Sequence, residues 1–205
     1  MSDQLVADKL AIRETVENWV LWRDAGDWER FATVWHADGW MTATWFQGPA
    51  RRFIEVSREG FNKGVNILHR LGWFTCDVAG RRAISQVKMT IDQRAVVDGV
   101  LADVVCTGRF YDFFDKRDSR WGIVRRQPIY EKDRLDLVDP SATLVLDIER
   151  LARFPEGYRH LAYLQSKNGF AVKDGLPGLR GPAVETLYAE GNAWLAGSER
   201  PGEPL

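Results

Sequence analysis

Little in this chain invites a nucleic acid or an anionic membrane surface. Lys and Arg total 28 against 29 Asp and Glu, a formal net charge of −1, so no basic field covers the surface. Cysteine is scarce. Cys76 and Cys106 stand in strand-like segments with no metal-ligand spacing around either, and they read as small core residues of a reducing compartment. No apolar run reaches the length of a membrane span, and the first residues lack the basic, apolar, small-residue order of a secretion signal. A cytoplasmic protein is expected. There is no G-x-S-x-G elbow and no glycine-rich phosphate loop, so a serine hydrolase and a nucleotide-binding enzyme are both disfavoured. The three histidines form no cluster with ligand spacing, and the expectation is no metal and no cofactor.

What the chain does hold is tryptophan. Nine occur in 205 residues, and Trp35, Trp40, Trp45 and Trp73 fall close together. They read either as core or as the wall of a pocket for a flat hydrophobic ligand, with Trp22, Trp40, Trp45, Tyr111 and Phe113 as substrate-binding candidates.

Periodicity predicts a first helix from about residue 3 to 23, with Ile12, Val16, Trp19, Val20 and Arg23 on one side. Ala25-Gly26 stops it, and Asp27 caps a second helix running to about His36. A strand over 40–46 and a helix over 51–63 follow, the latter with Phe53, Ile54, Val56, Ser57 and Phe61 buried. Strands are then predicted over 73–78, 83–94, 100–115 and 121–130, the middle two with clear two-residue alternation. This order implies an α+β domain over 1–140, a strongly bent antiparallel or mixed sheet wrapping the N-terminal helices as an open-mouthed cone. Residues 141–205 read as a helical extension packing on its own cone or a neighbour's. Its helices are expected at 143–153, 158–166 and 182–195, and its tail, 197–205, is polar and flexible.

The candidate chemistry centres on Asp24 and His69. Asp24 sits where the first helix ends. The helix dipole and neighbouring Trp rings both disfavour its charge there, so a raised pKa and a stronger base are expected. His69 lies among Leu68, Leu71 and Trp73 at the entrance to the sheet, where a carboxylate could fix its tautomer. A lone His in such surroundings is more often a satisfied core residue than a catalyst. His36 reads as partly exposed, and His160 as structural.

The run Arg23-Asp24-Ala25-Gly26-Asp27-Trp28-Glu29-Arg30-Phe31, then His69, then Asp118-Ser119-Arg120-Trp121-Gly122-Ile123, resembles the nuclear transport factor 2-like superfamily. Within it the chain is similar to the SnoaL-like branch that contains scytalone dehydratase and hexachlorocyclohexane dehydrochlorinase. That resemblance, over about residues 5 to 140, implies a catalytic Asp24–His69 pair with Arg126 assisting, or Arg125 in its place. The dehydratase's second histidine and its tyrosines have no counterparts here.

A His–Asp pair in an apolar pocket suits a cofactor-independent lyase, with Arg126 or Tyr111 stabilising charge on oxygen. Expected reactions are dehydration, dehydrohalogenation or retro-aldol cleavage of a hydrophobic, aromatic small molecule. Superfamily enzymes that release formaldehyde from lignin-derived diaryl compounds suggest one such substrate. A polyketide-type cyclase or isomerase is the second enzymatic reading, and a non-catalytic binding module the third. A homodimer or homotrimer is expected.

Overall fold

The computed structural model describes residues 2–199, 201 and 202, so the expected flexible tail lies partly outside the described residues. Helix α1 spans Asp3–Ala25. Ser2 caps its start, and Gly26, at φ 72°, turns the chain left-handed and bonds back to the Arg23 and Trp22 carbonyls. Asp27 then accepts the Arg30 N–H at 3.2 Å and caps α2, Trp28–Thr33. This helix is shorter than periodicity suggests. Trp35 joins the sheet opposite Ile123, so the apolar residues meant for a helical stripe begin strand β1, Trp35–Thr42.

Strand β2 (Gln47–Pro49) and helix α3 (Ala50–Asn62) follow, then the long strands β3 (Asn66–Ala79), β4 (Arg82–Val97), β5 (Val100–Arg117) and β6 (Arg120–Leu137). The six strands form one mixed sheet in the order β2-β1-β6-β5-β4-β3. Only β1 and β6 pair in parallel; every other pairing is antiparallel. The sheet does not close on itself, and α1 packs in its hollow: Trp19 meets Phe31, Phe53 and Phe110 with ring centroids 5.3 to 6.2 Å apart.

Several expectations need correction. His69 is not ahead of a strand but within β3, which begins at Asn66. The helix expected over 143–153 shrinks to α4, Ile148–Leu151. Leu144 and Leu146 alternate onto the core as extended chain, and Asp147 caps the short helix by accepting the Arg150 N–H. Phe61 is 43% exposed rather than buried, and Trp73, at 88%, is exposed rather than core. His36 is buried rather than partly exposed, with Nε2 2.9 Å from the Asp115 carbonyl and Nδ1 3.0 Å from the Arg120 guanidinium. Cys76 and Cys106 are buried free thiols. Among the described residues no helix is long and apolar enough to cross a membrane.

The C-terminal segment serves both faces of the sheet. After a 3-10 turn at Glu156–Tyr158, α5 (Arg159–Lys167) packs on β5 and β6. Its first turn is pinned by Asp133, which accepts the N–H groups of His160 and Leu161 at 2.5 and 2.9 Å. His160 Nδ1 stands 2.9 Å from the same carboxylate, a structural bond. Helix α6 (Pro182–Leu195) covers the outer face through Val184, Leu187 and Trp194, which cluster with Ile84, Tyr111, Phe113, Val124 and Ile129.

Gly191 allows that helix to lie against Tyr111, since a Cβ there would run into the tyrosine hydroxyl and ring. Gly191→Ala is therefore expected to destabilise by about 1–2 kcal/mol, overpacking outweighing the gain in helix propensity. Urea denaturation should show part of that loss recovered in the double variant with Tyr111→Phe, because the hydroxyl makes the closest overlap.

Candidate active site

Two-residue alternation on β3 and β4 aims Ile67 and His69, with Ile91 and Gln93 directly opposite, into the hollow that α1 occupies. The last turn of α1 brings Arg23 and Asp24 against the start of β3. Asp24 meets His69 twice: Oδ2 accepts the His69 backbone N–H at 2.6 Å, and Oδ1 lies 2.8 Å from Nδ1. Arg23 Nη1 donates to the same Oδ1 at 3.2 Å and to the Ile67 carbonyl at 3.3 Å. The His69 ring is wedged at right angles to Trp19, with centroids 5.3 Å apart.

Around His69 lies an inner chamber of about 40 Å³, walled by Trp19, Met41, Trp45, Phe53, Phe110, Tyr130 and Leu161. It adjoins a wider vestibule of about 390 Å³ between α3, Trp45, Phe46 and Phe170. Arg23, Trp45, Ile67, Gln93 and Gln165 border both and form the neck. Helix α5 closes one side of the chamber through Leu161 and Gln165, one helical turn apart. Thr44 ties that helix down by donating from Oγ1 to Gln165 Oε1 at 2.6 Å.

Electrostatics divide the labour between the two central residues. Burial works to raise the Asp24 pKa, but the hydrogen bonds from His69 and the Arg23 charge hold it below the usual carboxylate range. The expectation of a basic, raised Asp24 is therefore corrected: its charge is well partnered. Burial pushes the His69 pKa down, helped by the Arg23 and Arg126 charges and opposed by Asp24. A neutral ring donating Nδ1–H to an ionised Asp24 leaves Nε2 as the lone-pair nitrogen. The arrangement thus leaves Nε2 able to accept a proton, with Asp24 orienting the ring.

A consequence follows for pH. The His69 NMR titration should fall below 6.5, the ordinary histidine value. The unfolded chain takes that proton first, so this contribution to stability is complete above about pH 6.5 and shrinks as the pH falls toward the folded value. A His69 titrating above 6.5 would contradict this ordering.

Other sequence candidates lie elsewhere. Arg126 is wholly buried and ion-paired to Asp112 at 2.6 and 2.7 Å, with its guanidinium 4.3 Å from the Trp19 ring centroid and 4.1 Å from that of Phe110. It stands behind the chamber wall rather than in it. Arg125 points to the outer face and pairs with Glu190 at 2.6 Å. Tyr111 and Phe113 lie under α6, on the opposite side of the sheet from Phe110, and so cannot touch a molecule in the chamber. Trp40 is in register with Arg125, and Trp22 packs beside the Arg30 guanidinium; neither borders either space. Of the five aromatic candidates only Trp45 does. Arg23, Gln93, Gln165 and Tyr130 are additions. Arg23 had a visible signal, a cation on an otherwise apolar helical stripe. Among the described residues no group of His, Cys, Asp and Glu could hold a metal ion.

The SnoaL-like domain family matches residues 4–127, which carry nearly all of α1, strands β1 to β5, the first part of β6 and the Asp24–His69 pair. This chain belongs to the SnoaL-like family. A PEP2-like protein of Fusarium vanettenii is 37% identical to this SnoaL-like chain, covering 96% of it and 89% of the relative. Among solved structures, a Novosphingobium aromaticivorans protein provisionally named scytalone dehydratase superposes with a TM-score of 0.56 at 18% identity, over 71% of this chain and all of that one. Hexachlorocyclohexane dehydrochlorinase (LinA) type 2 gives 0.56 at 11% identity, over 71% and 99%. At such identities these neighbours speak to the shared nuclear transport factor 2-like fold of the SnoaL-like family.

Proposed function

We propose that this protein is a cofactor-independent lyase acting on a hydrophobic, aromatic small molecule. The observation that carries the reading is the doubly bonded Asp24–His69 pair, whose His69 lines an apolar chamber that opens on a larger vestibule. His69 Nε2 accepts a proton from carbon while Asp24 fixes the tautomer and supports the imidazolium that forms. The same proton then passes to the departing group, as in the loss of water or of a hydrogen halide. The names of the two solved neighbours, a dehydratase and a dehydrochlorinase, favour elimination over ring closure.

The size of the spaces bears on the substrate. An engineered apolar cavity that admits benzene measures about 150 Å³. The inner chamber, at about 40 Å³, is smaller, so the aromatic body belongs in the vestibule and the reactive end in the chamber. A turnover screen of purified protein without added metal or cofactor, using hydroxylated diaryl and polyketide-like compounds, tests the reading. Wild type should convert at least one compound, and folded His69→Asn should not. Binding without conversion across the panel would favour a binding module instead.

A further inference from the structure

Arg23 is nine-tenths buried, yet among the described residues its Nε–H has no acceptor. Its Nη1 is engaged with Asp24 and the Ile67 carbonyl, which holds the guanidinium in one orientation at the neck. A buried donor left without an acceptor costs free energy, and a guanidinium does so more than an amide. Burial depresses its pKa, opposed by the Asp24 charge and by the hydrogen bond to that carboxylate. The guanidinium and the His69 imidazole both bond Asp24 Oδ1, so acid–base group and cation share one carboxylate oxygen. Gln165 lies on the same neck, and its Oε1 is taken by Thr44.

We propose that Arg23 is a further catalytic residue whose Nε–H binds a carbonyl oxygen of the substrate, so that the substrate is an apolar compound carrying a ketone or acyl carbonyl beside the carbon that His69 deprotonates. The substrate half of this inference rests on the lyase reading; the carbonyl-binding half does not. In the reaction, His69 Nε2 takes the proton from the carbon next to the carbonyl. The C–H electron pair becomes the enolate double bond, and the carbonyl π pair moves to the oxygen held by Arg23. Those electrons return, a carbon–carbon double bond forms, and the bond to the leaving group on the adjacent carbon breaks. The imidazolium proton goes to that leaving group, so nothing is oxidised or reduced and no co-reactant is consumed. A preorganised cation facing the oxygen where charge develops stabilises that state without reorganisation.

The test uses 2-acetylnaphthalene and 2-ethylnaphthalene, which differ at the carbonyl, with quenching of protein tryptophan fluorescence as the binding signal; Trp19 and Trp45 border the chamber. Wild type should bind the ketone at least about tenfold more tightly, as a hydrogen bond to a charged group predicts. The infrared carbonyl stretch of the bound ketone should shift to lower frequency. Arg23→Lys keeps a positive charge but lacks the Nε donor, and in Arg23→Met both are gone. Each should reduce the preference, the ratio of the two affinities within one variant, to within about threefold. Equal binding of the two probes by wild type, or an unshifted carbonyl band, would overturn the proposal whether or not the variants fold. So would a full preference in a folded Arg23→Lys. If the preference and band shift appear but the turnover screen finds no conversion, the lyase reading fails while Arg23 as a carbonyl donor stands.

Discussion

Asparagine at position 69 is expected to lower turnover by about 10²–10⁴-fold with the protein still folded, the range for loss of a positioned general base. Asparagine suits the test because its amide can still donate toward Asp24 Oδ1, 2.8 Å from Nδ1 in the native protein. The second bond, from the residue 69 backbone N–H to Oδ2, is untouched by any side chain. Asp24 therefore keeps partners, and the folded-state penalty of an unpaired buried carboxylate is avoided. Far-ultraviolet circular dichroism and the urea midpoint report the fold, and single-turnover rates on a substrate from the screen report the chemistry. A folded His69→Asn that retains wild-type rates would remove His69 from the mechanism and leave the pair with a structural role.

The largest stability effect belongs to Arg126. Both it and Asp112 have no exposed side-chain surface, and burial already pushes the Asp112 pKa upward against the pull of Arg126. Arg126→Met abandons that carboxylate in the interior, and the expected cost is about 3–5 kcal/mol. Replacing both partners, Arg126→Met with Asp112→Leu, should return most of the loss, because two apolar side chains need no solvation. Chemical denaturation of the two singles and the double measures this directly. A loss under about 1 kcal/mol in Arg126→Met would show that Asp112 is not stranded as the geometry implies. The double variant also separates scaffold from chemistry. With the Arg126 charge gone, one of the influences that depress the His69 pKa disappears, so its titration should move upward while the chamber wall is preserved.

Much of the architecture was legible because local signals agreed. The α1 stripe and the alternation along β4 and β5 follow from side-chain period, Gly26 supplies the helix stop, and α6 occupies the bounds that Pro182 and its apolar anchors suggest. The Asp24–His69 contact came from the family resemblance, since nothing local joins residues 45 positions apart. What periodicity could not give was which side of the sheet is hollow. On β5 both faces are apolar, Phe110 against α1 and Tyr111 and Phe113 against α6, so alternation separates two sets without naming the one that meets a ligand. The C-terminal helix hides that distinction by making the outer face look like core. Residues 143–153 failed for a related reason. Leu144, Ile148, Leu151 and Ala152 fit a helical period while Leu144 and Leu146 also fit an extended one, and the Asp147 cap decides the matter only in three dimensions.

The two spaces, one narrow around His69 and one wide beyond the neck, divide selectivity between different parts of the chain. The small chamber is built by α1, α3, α5 and strands β1 and β3 to β6 around groups that hold one another in place through Asp24 and Thr44. The vestibule is bordered by α3 residues such as Val56, Ser57, Gly60 and Phe61 and by Asn168 and Phe170 after α5, several of them exposed and free of that network. Substitutions there can reshape what body the site accepts without disturbing the bonds that orient the base. On the lyase reading, such a plan lets new substrates be explored by drift at the rim, while the reacting end of every one of them must still pass the same narrow neck.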